Sequence, residues 1–118
     1  MYGLPPNVDL SFFQRRILIQ VCFGAHDLIL SLDGHTTLSI SSCVGCADPS
    51  GNIQKHTAFS DAAPVLLKLL NCSIANAAGD ESGTLSLRFT NGIVVAAYDD
   101  SDVFESYTIR NGDQLIVV

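Results

Sequence analysis

The residues with the most chemical potential are four cysteines, three histidines and a run of carboxylates, and their spacing limits what each can do. Cys43-Val44-Gly45-Cys46 forms a C-x-x-C pair. Zinc takes four ligands, so Cys43 and Cys46 would need His56 and one of Cys22 or Cys72 to complete a tetrahedron. A second C-x-x-C is missing. A redox pair belongs at the start of a helix, where a thiolate is stabilised, whereas Ala47-Asp48-Pro49-Ser50-Gly51 reads as a loop. The plain alternative is two small residues in a turn.

His26, His35 and His56 fall at strand-edge, turn and loop positions, none beside an evident nucleophile and an orienting carboxylate. No G-x-S-x-G, P-loop or dinucleotide motif occurs. The sequence therefore nominates no catalytic residue and no cofactor. Asp99-Asp100-Ser101-Asp102-Val103-Phe104-Glu105 carries four acidic side chains in seven residues. Calcium takes such oxygens, but the glycine and the closing glutamate of an EF-hand loop are absent. As a turn, Asp99 or Ser101 would accept hydrogen bonds from backbone amides. As a contact surface, Asp99, Asp100, Asp102 and Glu105 would steer a basic partner, with Phe104 as the retained apolar contact.

Period-two alternation dominates the elements that must hold these residues. Ile17, Ile19, Val21 and Phe23 alternate with Leu18, Gln20, Cys22 and Gly24, and Leu28, Leu30 and Leu32 share one face before Asp33-Gly34. A three-residue loop ending in Gly34 would pair Leu28 with Leu38 and Leu30 with Thr36. The design returns in residues 72–77, a turn at Asp80-Glu81-Ser82-Gly83, and Leu85, Leu87 and Phe89 before Asn91-Gly92. A two-residue type I′ loop there would pair Phe89 with Val94 and Leu87 with Ala96. Gly34 and Gly92 lie 58 positions apart. The pattern reads as a duplicated three-stranded meander, against the plainer alternative that any antiparallel protein yields two similar hairpins.

Between the copies, residues 43–59 read as loop with at most a short extended piece. A helix capped by Ser60 or Asp61 would follow, with Ala63, Leu66, Leu67 and Leu70 on its buried face and Asn71 as its stop. A shorter helical turn at Leu10-Ser11-Phe12-Phe13, capped by Asp9, precedes the first strand. Residues 107–110 and 115–118 read as two further strands.

Composition narrows the function classes. Apolar residues make up 47% and charged residues 15% of 118, against a usual charged share of about 25%. That supports one folded domain over 1–118 and predicts a homodimer burying apolar surface. A formal charge of −6 argues against nucleic acid, which needs clustered cations. Residues 78–118 hold seven acidic and two basic groups, so the negative charge is concentrated there, where a basic protein partner would be drawn. No apolar run of about 18 residues exists to span a membrane. The N-terminal residues do not read as a signal peptide, so a cytoplasmic setting with reduced thiols is expected.

Asp9-Leu10-Ser11-Phe12-Phe13, residues 17–22, Gly83-Thr84-Leu85-Ser86-Leu87-Arg88-Phe89-Thr90-Asn91-Gly92, Tyr98-Asp99-Asp100-Ser101 and residues 104–109 together resemble an uncharacterised family of small bacterial domains of unknown function. Glu105-Ser106-Tyr107 is the most specific part of that resemblance. It implies no known catalytic residue and no cofactor. Some such small proteins resemble immunity proteins that neutralise a toxin encoded beside them.

The expectation is an α+β domain: two antiparallel three-stranded meanders joined by one helix into a curved sheet or partly closed barrel. The expected function is a non-catalytic interaction module, with a toxin-neutralising, immunity-type role as its most concrete form. A metal or redox protein using Cys43, Cys46 and His56, and a small-ligand pocket inside the curved sheet, are the alternatives.

Overall fold

The computed structural model of the protein describes residues 3–101 and 103–118. Asp102 of the acidic run lies outside the described residues. Ten strands form two antiparallel five-stranded sheets. They are β1 (Leu18–Phe23), β2 (Leu28–Leu32), β3 (Thr36–Ile40), β4 (Val44–Ala47), β5 (Ile53–His56), β6 (Ile74–Gly79), β7 (Leu85–Phe89), β8 (Val94–Ala97), β9 (Tyr107–Asn111) and β10 (Gln114–Val117). The first sheet runs β1-β2-β3-β9-β10 and the second β5-β4-β8-β7-β6. Both expected meanders are present, but each is extended by a hairpin belonging to the other half of the chain. β4–β5 follows β3 yet pairs with β8, and β9–β10 follows β8 yet pairs with β3. The result is two separate sheets, and the expected curved sheet or partly closed barrel is not what forms. Among the described residues, no helix is long and apolar enough to cross a membrane.

The apolar faces of both sheets meet in one core. Leu18, Leu28, Leu30, Leu38 and Ile40 enter it from the first sheet, and Ile74, Leu85, Leu87, Phe89, Val95 and Ala97 from the second, all at 1% exposure or less. Each leucine, isoleucine, valine or phenylalanine among them contributes about 1.5–3 kcal/mol by leaving water, so alternation at these positions dictates the register.

The two halves follow one plan. Each opens with a helical turn whose last buried residue, Phe13 or Leu69, is followed two positions later by a left-handed residue, Arg15 or Asn71, both at φ +69°. Leu18 N–H then donates to the Cys72 carbonyl and Ile74 N–H to the Arg16 carbonyl, at 3.0 and 2.9 Å, around an Ile17–Ser73 bridge. β1 and β6 both carry a bulge one residue after their buried first position.

Three local expectations need correction. In the first hairpin Leu30 pairs with Leu38 and Leu32 with Thr36, a shift of two residues, because the loop is Asp33-Gly34-His35 with both Gly34 and His35 left-handed. A two-residue shift keeps every side chain on its face. The second hairpin slips by one residue: Leu87 pairs with Val95 and Leu85 with Ala97. Its loop is Thr90-Asn91-Gly92, closed by Gly92 N–H to the Phe89 carbonyl at 2.9 Å and by Asn91 Oδ1 accepting from Ile93 N–H at 3.0 Å. Val95 and Ala97 therefore enter the core in place of Val94 and Ala96.

The segment 43–59 is not loop. Val44 and Cys46 face the core from β4, which is paired on both sides, and only residues 48–52 make the turn. The helix shrinks to a 3-10 turn, Phe59–Ala62, running into α1 (Ala63–Leu67), with no side-chain cap. Ala62, Leu66 and Leu69 are buried while Leu67 is 51% exposed. Ala62, Leu66 and Leu69 recur at the i, i+4, i+7 spacing of one helical face, so of the expected Ala63, Leu66, Leu67 and Leu70 only Leu66 is buried. α1 ends at Leu67 with Lys68 as its C-cap, ahead of the expected stop at Asn71, which is left-handed and closes the turn of residues 68–71 that follows.

Candidate binding cleft

The acidic run lies in the connection from β8 to β9, residues 98–106, and its backbone is fastened at both ends. Asp99 Oδ2 accepts the Gly3 amide at 2.8 Å and Oδ1 accepts the Ser106 hydroxyl at 3.0 Å. Ser101 Oγ accepts the Phe104 and Val103 amides at 3.2 and 3.4 Å, the turn chemistry anticipated for this segment. Ser106 and Tyr107 are buried, and the Tyr107 hydroxyl donates to the Gly83 carbonyl at 2.6 Å. Burial pushes the Tyr107 phenol well up, so it stays a donor.

Asp100 is held from the neighbouring sheet. Its Oδ2 accepts from Lys55 Nζ at 2.9 Å and from the Cys43 thiol at 3.0 Å. Partial burial alone would raise its pKa, but the hydrogen bonds from Cys43 and Lys55 and the Lys55 charge outweigh that and hold it below its ordinary value. The hydrogen bond to Asp100 raises Lys55. The Lys55 ammonium also stands 4.5 Å from the Tyr98 ring centroid. Tyr98 rests over Gly45, where any side chain would collide with its ring and hydroxyl. Glycine is required there by close approach alone.

The two cysteines of the C-x-x-C pair part company. Cys46 lies on β4 and joins the core, whereas Cys43, in the connection just before that strand, meets Asp100 outside it. Burial pushes both thiols up to about 11, for Cys43 with help from the Asp100 carboxylate. His56 sits at the end of β5, paired with Val44. Among the described residues no group of three or more His, Cys, Asp or Glu could hold a metal ion.

Fastening Asp99, Asp100 and Ser101 leaves the tip of the connection outward. Val103 is 80% and Phe104 46% exposed. Phe104 and Glu105 form one wall of a cleft of about 800 Å³, whose other walls are Phe23 and His26 at the end of β1, Ser42 after β3, and Phe59 and Ser60 before α1. That volume is within the range of sites that bind small molecules or side chains. It lies at one end of the core, not inside a curved sheet. The structure thus brings Phe104 and Glu105 to a concave surface and commits Asp99 and Asp100 to internal bonds.

Sequence reasoning did not single out Phe23, which alternation groups with Ile17, Ile19 and Val21; Ile17, Ile19 and Phe23 are all exposed, and Leu18 is the buried residue of β1. Sequence reasoning missed Lys55 too, whose partner is 45 positions away. An apolar Val103-Phe104 pair within an acidic turn was the one available signal for the cleft.

A family model described as a family of unknown function (DUF6188) matches residues 12–118. The chain belongs to this family. The DUF6188 match spans all ten strands and every residue named in the cleft, and it begins after the N-terminal arm of residues 3–8. No curated protein and no solved structure matches the chain.

Proposed function

We propose that this DUF6188 domain is a non-catalytic binding module that seats a segment of a partner protein in the cleft between Phe23 and Phe104. The observation that carries this reading is the exposure of Phe104, at 46%, and Phe23, at 39%, from two different elements onto one concavity. Exposed aromatics with a pocket between them are the composition of an interaction hot spot. The thiols suit a structural role, since Cys43 and Cys46 stay protonated near neutral pH and Cys43 spends its proton on Asp100. Neutralising a toxin, as immunity proteins do, is the most concrete form of such a module.

Photo-crosslinking tests this directly. A benzophenone amino acid in place of Phe104 should give a discrete protein adduct in the native cell, while the same group in place of the exposed Leu115 on β10 should not. Equal adduct yields at positions 104 and 115 would refute the reading, and an adduct with the product of a neighbouring gene would favour the immunity form.

A further inference from the structure

The cleft's chemistry restricts the guest further, on the premise that it is a binding site. We propose that its anchoring guest is a cationic side chain, an arginine guanidinium carried on the partner segment. Glu105 is exposed and, among the described residues, its carboxylate makes no hydrogen bond or ion pair, whereas Asp99 and Asp100 are both engaged. Among the described residues the other ionisable liner is His26, and no lysine or arginine contributes to the walls. Three phenylalanines, Phe23, Phe59 and Phe104, line the same space.

Each class of guest meets this set differently. An anionic group would face the Glu105 carboxylate without a cation to offset it. A purely apolar group would fill the cleft but strip water from that carboxylate and leave it unpaired, which is costly. A guanidinium lies flat on phenyl faces, pairs with a carboxylate through two parallel N–H bonds, and has donors left for the Ser42 and Ser60 oxygens. Lysine supplies the charge but neither the fork nor the plane. The formal charge of −6 draws such a guest from a distance.

Two capped pentapeptides, Gly-Ala-Arg-Ala-Gly and its norleucine analogue, separate the possibilities when titrated into isotopically labelled protein and followed by amide chemical shifts. The arginine peptide should shift the amides of residues 23–26 and 103–105 with a Kd about tenfold tighter than the norleucine peptide. Glu105→Gln, an exposed substitution that should leave the fold intact, should erase that difference. Phe104→Ala should weaken both peptides. Equal affinities, or a preference for arginine that survives Glu105→Gln, would overturn the guanidinium inference while leaving the cleft as a binding site. Shifts by the arginine peptide centred on residues 98–101 would overturn it in favour of the acidic turn. Silence of the cleft amides to both peptides would remove the guanidinium inference and the binding module together.

Discussion

The two ends of the molecule's core are built alike and finished differently. Phe23 and Gly79 occupy matching strand ends, opposite Leu28 and Leu85 respectively. Over Gly79, where a side chain would collide with it, lies Leu4 of the N-terminal arm, and Val8 packs on the core beside it. At the Phe23 end no such cover is found among the described residues, and the cleft is open. The connections leaving the third strand of each meander differ too: residues 41–43 in the first half, residues 98–106 in the second. Cys43 and Ser106 close those two connections, each donating to an aspartate, Asp100 and Asp99. The comparison separates the plan common to both halves from the additions, and the additions make the cleft: a phenylalanine where the other end has glycine, and a longer connection that carries Phe104 and Glu105.

Exchanging the strand-end residue should have the largest effect. Gly79→Phe would evict Leu4 and cost about 1–3 kcal/mol through the lost burial of the arm. Leu4→Ala should cost less in that background than in the wild type, because the contact is already gone. Chemical unfolding of the four proteins of the cycle checks this, and additive losses would show that Leu4 draws no stability from its place over Gly79.

The clamp on the longer connection should matter less. Lys55 and Asp100 are both substantially exposed, so Asp100→Asn should cost below about 1 kcal/mol. The folded pKa of Asp100 is depressed, so its contribution is complete above the ordinary carboxylate value and disappears as pH falls through the lowered one. The gap in melting midpoint between wild type and Asp100→Asn should therefore be constant from pH 5 to 7 and close in more acidic buffer. A gap that persists unchanged below pH 3 would point to packing and not to charge.

Replacing Cys43 with the residue of the matching position should have the smallest effect. Cys43→Ser keeps a donor for Asp100 and should shift stability by less than about 0.5 kcal/mol. In the wild type, alkylation at pH 8 should modify Cys22 and Cys72, the half-buried thiols, well before Cys43 and Cys46. Fast modification of Cys43, located by peptide mass, would contradict the buried, hydrogen-bonded thiol.

How far these features were legible depended on whether their causes were local. The strands with alternating leucines were readable because Leu28, Leu30, Leu85 and Leu87 each need one buried face. Asn71 was readable as a left-handed position, since its residue type tolerates that backbone, although it closes the turn after α1 and not the helix itself. Arg15, in the same conformation at the matching position, was not, because nothing in arginine prefers it. β4 was hidden by Gly45 and Ala47, small residues chosen by what lies over them, with Tyr98 filling the space above Gly45. At the site, Phe104 and Glu105 stood out, while the groups that engage Asp99 and Asp100, among them Gly3, Cys43 and Lys55, are remote in sequence and could not be read there. A one-residue slip in the second hairpin came from Thr90, whose amide is tied to the Ser73 carbonyl at 3.0 Å, a contact no turn rule contains.

The exchanged hairpins have a consequence for how the chain is made. Thr36–Ile40 waits for a neighbour that begins at Tyr107, so during synthesis the first sheet stands with a bare edge until more than sixty further residues have emerged. A half-made chain is therefore sticky, open to pairing with another nascent copy. Neither half can finish alone, and folding must be slow to begin and nearly all-or-none once β9 arrives, because contacts this distant in sequence become favourable only late. The hairpin that completes the first sheet also ends the tether from which Phe104 and Glu105 project, so the cleft can exist only in molecules whose two sheets are already whole.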